Sequence, residues 1–176
     1  MIILERIKRT DKQILQNMSV HYSQPKDFVG RNICYAVIFG DICYGTIAGG
    51  SATRFLPNRE VKGLLNNGVN NIFYHLEKQQ GKYPARWFTV KVLSEYRKQV
   101  EKDWREKYGD EVLWHETLVE LPRTGMLYKK DGWIEVGVTK GYICKRTAGQ
   151  GTDSWTGKRI WDTKNLRPKR VFIYGN

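Results

Sequence analysis

Residues 33–48 read ICYAVIFGDICYGTIA, two apolar and partly β-branched runs on either side of Gly40 and Asp41. Two such runs around a two-residue turn that contains glycine predict a β-hairpin. The next residues, Gly49-Gly50-Ser51, are expected to break the second strand and to open a loop that reaches Arg59.

Two helices are predicted on either side of this hairpin. In residues 11–20, Asp11 can cap the first turn, and the apolar residues share one side. In residues 94–108, aromatic or apolar side chains recur every four positions, and Gly109 follows as a stop signal. Both segments are therefore expected to pack one apolar side against a sheet.

The remaining elements are expected to complete a mixed sheet. Strands are predicted over residues 111–120, 133–139, 142–145 and 171–174, with a short helix over residues 126–130. Residues 60–83 stay ambiguous, because residues 72–76 suit either a strand or a short helix. The sequence predicts an α+β fold: a single domain over residues 1–176 with one mixed central sheet flanked by helices.

Charge is concentrated towards the C-terminus. The chain has 176 residues and a net charge of +12, and from Leu121 onwards it holds twelve Lys or Arg against four acids, with Trp and Tyr between them. Bases attract phosphates and aromatic rings stack on nucleobases, so we expect a nucleic-acid surface centred on residues 140–176. A solvated basic surface is the alternative. The candidate contact residues are Arg54, Lys140, Lys145, Arg146, Trp155, Lys158 and Arg159.

Several classes of protein are poor matches. The three cysteines, Cys34, Cys43 and Cys144, form no CxxC or CxxH pair, which argues against a disulfide framework or a zinc finger. No apolar run of 18 residues is present, and the first residues lack the pattern of a secretory signal. We expect a cytoplasmic protein with no membrane span and reduced thiols.

Three short motifs contain side chains that can do chemistry. His21 lies where the first helix ends, with Ser23 close enough to orient it or a substrate. Glu116 and Glu120 are four residues apart in a predicted strand and so face the same side. Tyr128 in the short helix can act as an acid towards a leaving group. Each also has a plain structural interpretation: a helix-end histidine, paired carboxylates and an anchoring tyrosine.

One further motif concerns the cofactor. Arg146-Thr-Ala-Gly149-Gln-Gly151 has the form of an acyl-CoA pyrophosphate loop, in which backbone N–H groups hold phosphates. No helical pattern follows it, so a flexible basic loop that contacts nucleic acid is the preferred interpretation. An acyl-CoA donor stays open, as does a divalent metal held by His21, Glu116 and Glu120.

The order of several short motifs resembles the Mom family of phage DNA-modifying proteins and the family of the Druantia defence protein A. Both look like distant relatives of the GNAT acetyltransferase fold. The stretches that carry the resemblance are HYS at 21–23, YGTIAGGSATR at 44–54, ETLVE at 116–120, TGMLY at 124–128 and DGWIEVGVTKG at 131–141. Two departures are visible: the acid is Glu120 where the family has Asp, and the segment between Glu120 and Tyr128 is short.

The resemblance implies a phage-encoded enzyme that modifies the exocyclic amine of adenine in double-stranded DNA and protects it from host restriction. His21, Glu120 and Tyr128 match the functional residues of the family. The target base would leave the stack, with Tyr22, Trp87 or Trp133 stacking on it. The alternatives are a nucleic-acid-binding protein without catalysis and an acyl-CoA-dependent acetyltransferase. The donor, the sequence preference and the oligomeric state are not predicted.

Overall fold

The computed structural model describes residues 1–23, 25, 27–28, 30–53, 56, 61, 63–141, 143–144, 161–162 and 166–175. The helices are α1 (Lys12–Val20), α2 (Phe88–Tyr108) and α3 (Met126–Lys130), with one 3-10 turn at Leu65–Asn67. The strands are β1 (Ile2–Ile7), β2 (Asn32–Phe39), β3 (Ile42–Ser51), β4 (Gly68–Leu76), β5 (Trp114–Glu120), β6 (Ile134–Val138), β7 (Ile143–Cys144), β8 (Trp161–Asp162) and β9 (Lys169–Tyr174).

Seven strands form one mixed sheet in the order β1-β2-β3-β4-β5-β9-β6. Neighbours pair antiparallel except β4 and β5, which run parallel. Parallel neighbours need a crossover connection, and α2 supplies it. β7 and β8 form a separate two-stranded pair. This architecture confirms the predicted α+β class and the single mixed sheet flanked by helices.

The helices cover opposite faces of the sheet. Ile33 and Tyr35 pack in the cluster that includes the buried side of α2, whereas Cys34 packs with Ile14 and Met18 of α1. Successive strand residues point to opposite faces, so the two clusters lie on either side of β2. The stop at Gly109 is confirmed, since this residue caps α2 in the left-handed region at φ 76°. The helix begins six residues before the predicted Ser94.

The predicted hairpin is confirmed as β2 and β3, but the predicted break at its end is wrong. Gly49, Gly50 and Ser51 remain in β3 and pair with β4. A Cβ at Gly49 would meet the Tyr96 hydroxyl and the side chain of Val69. The glycine therefore allows α2 to approach the sheet closely, and it does not end the strand.

Three strands were missed or left ambiguous by the sequence patterns: β1, β4 and the two-residue β8. β1 is an edge strand in which no residue is fully buried, and its sequence IILERI lacks the apolar–polar alternation that marks a half-buried strand. Residues 68–76 form β4, and the buried amides Asn70 and Asn71 interrupt its apolar run. The predicted strands 111–120, 133–139, 142–145 and 171–174 correspond to β5, β6, β7 and β9 with shifted bounds.

Candidate functional site

The two parallel strands separate soon after they begin. β4 and β5 pair only through Gly68–Asn70 and Trp114–Glu116. Beyond these residues a cavity of about 550 Å³ opens, with residues 71–74 of β4 on one wall and residues 117–120 of β5 on the other. We call it the splay cavity. Its volume lies within the usual range for small-molecule sites, and ligands of open parallel sheets bind beyond the carboxyl ends of the strands.

The predicted His21 and Ser23 both line the splay cavity. His21 caps α1 and donates its backbone N–H to the carbonyl of Asn17 at 3.0 Å. Its Nδ1 accepts from the backbone N–H of Ser23 at 3.3 Å and lies 2.8 Å from the Ser23 hydroxyl. An accepting Nδ1 means that the neutral ring carries its proton on Nε2. The Ser23 hydroxyl can thus donate to Nδ1 and present its lone pairs to the cavity.

The surroundings of His21 keep its ring uncharged. Burial, together with the nearby His75 and Arg123, lowers the pKa of His21 to about 4, against a hydrogen bond to the Tyr74 backbone that raises it. The ring packs against Phe73 at a centroid distance of 4.7 Å. His21 is therefore neutral at physiological pH and suited to accept a hydrogen bond or a proton from a substrate.

Tyr128 lies at the inner wall of the splay cavity and is held by an amide. The phenol donates to Oδ1 of Asn71 at 2.7 Å, and the amide of Asn71 donates in turn to the Ala48 and Phe73 carbonyls. Burial raises the pKa of Tyr128. The phenol consequently retains its proton at neutral pH and can act as a proton donor.

The structure separates the two predicted carboxylates. Glu120 lines the splay cavity and lies 3.8 Å from Nε of Arg167. Glu116 is fully buried in the paired part of β5, about 13 Å back along the strand, and it accepts from the backbone N–H of Thr53. Among the described residues no three His, Cys, Asp or Glu side chains come together as metal ligands, so His21, Glu116 and Glu120 do not form one metal site.

Several cavity residues were not identified by the sequence patterns. Arg123 lies 3.4 Å above the ring centroid of Tyr22, and Lys169 reaches the cavity from β9. Asn71 and Thr117 form its polar inner end, where the Thr117 hydroxyl donates to the Asn71 carbonyl. The adjacent amides Asn70 and Asn71 of β4 were the feature of the sequence that could have indicated this polar end, because polar side chains in an apolar strand need buried partners.

The predicted nucleic-acid residues fall mostly outside the described part of the chain. Lys140 is exposed just after β6. Trp133 is 3% exposed and donates to Asp131, so the prediction that it stacks on a base is wrong. The motif at 146–151 also lies outside the described residues. So do Arg54, Lys145, Arg146, Trp155, Lys158 and Arg159.

Three exposed bases lie in the segment that leads to α2. Lys78, Lys82 and Arg86 lie in the connection from β4, and a bridge between Gln79 and Lys82 folds that connection back on itself. Cations beside the N-terminus of a long helix favour phosphate groups.

In the described chain, no helix combines the length and apolar character needed to cross a membrane.

Comparison with solved structures identifies the fold. The chain superposes on an acetyltransferase of Bacillus subtilis in complex with CoA with a TM-score of 0.61 and 12% identity, over 100% of this chain and 99% of the other. A GNAT family acetyltransferase from Elizabethkingia anophelis with acetyl-CoA bound gives 0.59 and 8%, over 99% and 98%. An IAA acetyltransferase from Bacillus cereus gives 0.59 and 14%, over 100% of both chains. The sequence matches no protein-family model and no curated protein. The chain thus has the GNAT fold.

Proposed function

We propose that this chain is an acyl-CoA-dependent N-acyltransferase and that the splay cavity is its active site. The observation that carries the proposal is the separation of β4 and β5 after three paired residues, with Tyr128 at the inner wall of the opening. The likeness of the fold to acetyltransferases solved with CoA or acetyl-CoA supports this choice of donor.

The donor would enter between the separated strands. Its phosphates would lie near Lys78, Lys82 and Arg86 at the start of α2, and its acyl group would reach the polar end of the splay cavity. This placement uses the connection between β4 and α2, and it needs no pyrophosphate motif at residues 146–151.

The cavity offers a proton acceptor and a proton donor for the transfer. The amine lone pair attacks the thioester carbonyl, a C–N bond forms, and the C–S bond breaks. The amine proton passes through the Ser23 hydroxyl to Nδ1 of His21, or directly to Glu120. Tyr128 donates its proton to the departing thiolate, after giving up its hydrogen bond to Asn71.

The test compares Tyr128→Phe with Tyr35→Phe, using release of free CoA thiol from acetyl-CoA in the presence of a panel of amines. Both tyrosines are buried and donate a 2.7 Å hydrogen bond, Tyr128 to Asn71 and Tyr35 to Asp103. Both variants should lose roughly 1–2 kcal/mol of unfolding free energy. Loss of an acid catalyst typically costs roughly 10²–10⁴ in rate, and only Tyr128→Phe should show it.

Two results would contradict the proposal. Equal rates for the two variants would remove the acid role of Tyr128. Absence of heat on titration of the wild-type protein with millimolar acetyl-CoA would remove the donor assignment.

A second candidate, modification of a DNA base, is favoured by the charge of the cavity wall. Arg123 and Lys169 line the splay cavity, and both belong to the strongly basic part of the sequence. Two cations beside the acceptor site suit a nucleotide, whose base would have to leave the duplex. This candidate keeps the residue roles expected from the Mom resemblance for His21, Glu120 and Tyr128.

Nucleoside mass spectrometry separates the two candidates. If the protein modifies DNA, the DNA of cells that express the wild type should contain a new adduct. This adduct should be absent from cells that express the double variant His21→Ala, Tyr128→Phe. Identical nucleosides from both cultures, together with acyl transfer to a small amine in vitro, would reject modification of DNA.

A further inference from the structure

A second concave surface lies at the β1 edge of the sheet, away from the splay cavity. It is an open groove of about 660 Å³ between the end of β1, the start of β2 and the C-terminal end of α2. Four of its ten lining residues are cationic and none of the ten is acidic: the cations are Arg6, Lys8, Arg9 and Lys107. We call this surface the basic groove. β2 and β3 separate β1 from β4, which keeps the groove apart from the candidate active site.

The positive charge of the basic groove is only weakly neutralised. Arg6 lies 3.6 Å from Glu106, and Arg9 lies 3.5 Å from Asp27. The carboxylate side chains of these pairs are 67% and 58% exposed. Long contacts between exposed groups contribute little free energy, so both acids can give way to another anion. Within the described residues, neither Lys8 nor Lys107 forms an ion pair with a carboxylate.

The walls of the groove are held in place by hydrogen bonds across the fold. The Tyr108 hydroxyl accepts from the backbone N–H of Asn32 and donates to its carbonyl, both at 2.9 Å. Lys107 donates to the same carbonyl at 3.0 Å, and Arg9 donates to the Phe28 carbonyl at 2.9 Å. The end of α2 is thereby fixed on β2, and a ligand would meet cations that are already positioned.

The arrangement of the cations indicates the kind of anion. Arg6 and Lys8 are two residues apart at the end of an extended strand, which separates their backbones by about 6.6 Å. Lys107 faces them from the helix. A single phosphate is held by donors that converge on one point, whereas cations spread along an open groove match an anion with repeated charges. The net charge of +12 adds long-range attraction to such a polymer.

We propose that the basic groove binds the phosphate backbone of a nucleic acid. The argument is independent of the group that the splay cavity transfers, and it uses none of the C-terminal residues that the sequence patterns favour for this role. Contacts to phosphates through Lys and Arg carry no sequence information by themselves, so the binding is expected to be insensitive to sequence.

The test measures affinity for a labelled 20-base-pair DNA duplex by fluorescence anisotropy between 50 and 300 mM KCl. The groove variant is Lys8→Gln, Lys107→Gln. The matched control is Lys98→Gln, Lys102→Gln, which removes the same charge from exposed positions of α2 beside Glu95 and Glu101. The groove variant should bind at least tenfold more weakly at 100 mM KCl. The slope of log K against log[KCl] should fall by about 2, since each lost phosphate contact contributes about 0.9. The control should stay within about threefold of the wild type.

Several outcomes would overturn the proposal. These are no binding of the duplex at 50 mM KCl, equal weakening by both pairs of substitutions, or binding to phosphatidylserine vesicles but not to DNA. Displacement of the duplex by 5 mM inorganic phosphate at constant ionic strength would assign the groove to a small anion instead. Circular dichroism checks the fold of each variant. The single variants Lys8→Glu and Lys8→Gln provide a second comparison, because the Lys8 side chain forms no hydrogen bond within the described chain. Lys8→Glu should weaken binding further than Lys8→Gln.

Discussion

The position of His21 is set by α1, which ends at this residue, and the pKa of its ring is set by the surrounding side chains. α1 is anchored by Asn17, which accepts from the Thr46 hydroxyl and donates to Glu77. The imidazole then lies against Phe73, where burial lowers its pKa to about 4. A neutral ring beside the Ser23 hydroxyl is what an amine substrate needs as a proton acceptor. A protonated ring would repel the ammonium form of the same substrate.

The lowered pKa of His21 predicts a dependence of stability on pH. The folded value is about 4 and the usual value is 6.5, so the unfolded chain binds the proton first as the pH falls. The stabilisation is complete above pH 6.5 and is lost progressively towards pH 4, at a cost on the order of 1–2 kcal/mol after screening by solvent. Urea unfolding at pH 7 and pH 4 measures it. His21→Gln should reduce the difference in unfolding free energy between pH 7 and pH 4. An unchanged difference would contradict the lowered pKa of His21.

Short elements position the side chains of the splay cavity. α3 has only five residues, and its N-cap is Gly125, which lies in the left-handed region at φ 68°. A Cβ on Gly125 would enter the ring of Phe172, the residue on which Tyr128 stacks with a centroid distance of 5.9 Å. The glycine therefore sets the height of α3 above the sheet, and with it the position of the phenol.

Two glycine substitutions test this role of α3. Gly125→Ala adds a clash with Phe172 to the cost of a left-handed alanine, so it should lose roughly 2–4 kcal/mol of unfolding free energy and most of the activity. Gly109→Ala has a φ of 76° with open space around the new methyl group, and should lose only about 1 kcal/mol. Thermal unfolding and the thiol-release assay measure both. Equal losses for the two variants would show that the contact with Phe172 is unimportant.

A buried ion pair joins α2 to the end of α3. Arg97 donates to both oxygens of Asp131 at 2.9 and 3.1 Å, and Trp133 donates to the same carboxylate at 2.8 Å. The two charged side chains are 10% and 5% exposed. This arrangement fixes the turn between Tyr128 and β6.

Asp131→Ala should therefore cost roughly 3–5 kcal/mol, because it leaves the Arg97 charge buried without its partner. Glu106→Ala removes one carboxylate from the exposed pair with Arg6 and should cost less than about 1 kcal/mol. Urea unfolding of the two variants gives the comparison. A cost for Asp131→Ala below about 1 kcal/mol would mean that Arg97 finds another partner.

The whole molecule presents two separate concave surfaces on one sheet. The splay cavity lies between β4 and β5 near the middle of the sheet, and the basic groove lies at the β1 edge. The first combines a neutral histidine, a protonated tyrosine and a polar inner end. Four of the ten residues that line the second are cationic, and none is acidic. The two proposals accordingly place acyl transfer in the cavity and polyanion binding in the groove.

Donor binding should stabilise the whole domain. CoA at one hundred times its dissociation constant adds about 2.7 kcal/mol to the folded state, which corresponds to roughly 5–10 °C in Tm for a chain of this size. Pantetheine lacks the phosphates that Lys78, Lys82 and Arg86 would hold, and should shift the Tm much less. Differential scanning fluorimetry measures both ligands. Equal shifts would indicate that these bases take no part.

Much of the fold follows from the local sequence. The β2–β3 hairpin, the cap of α1 at Asp11, the stop of α2 at Gly109 and the short helix α3 depend on neighbouring residues alone. Local patterns could not identify β1, because an exposed edge strand has few buried residues to mark it. They also misjudged Gly49, whose role depends on Tyr96, a residue almost fifty positions away.

The candidate site likewise depends partly on the local sequence and partly on the tertiary structure. Residue chemistry and order in the sequence by themselves selected His21, Ser23, Glu120 and Tyr128, which all line the splay cavity. Only the tertiary structure excluded Glu116, because its distance from the cavity depends on where β4 and β5 part. The structure alone also brought Asn71 to the Tyr128 hydroxyl and Lys107 to the end of β1. The physical reason is that residue type sets what a side chain can do, whereas burial and neighbours contributed by distant segments set its charge state and its partners.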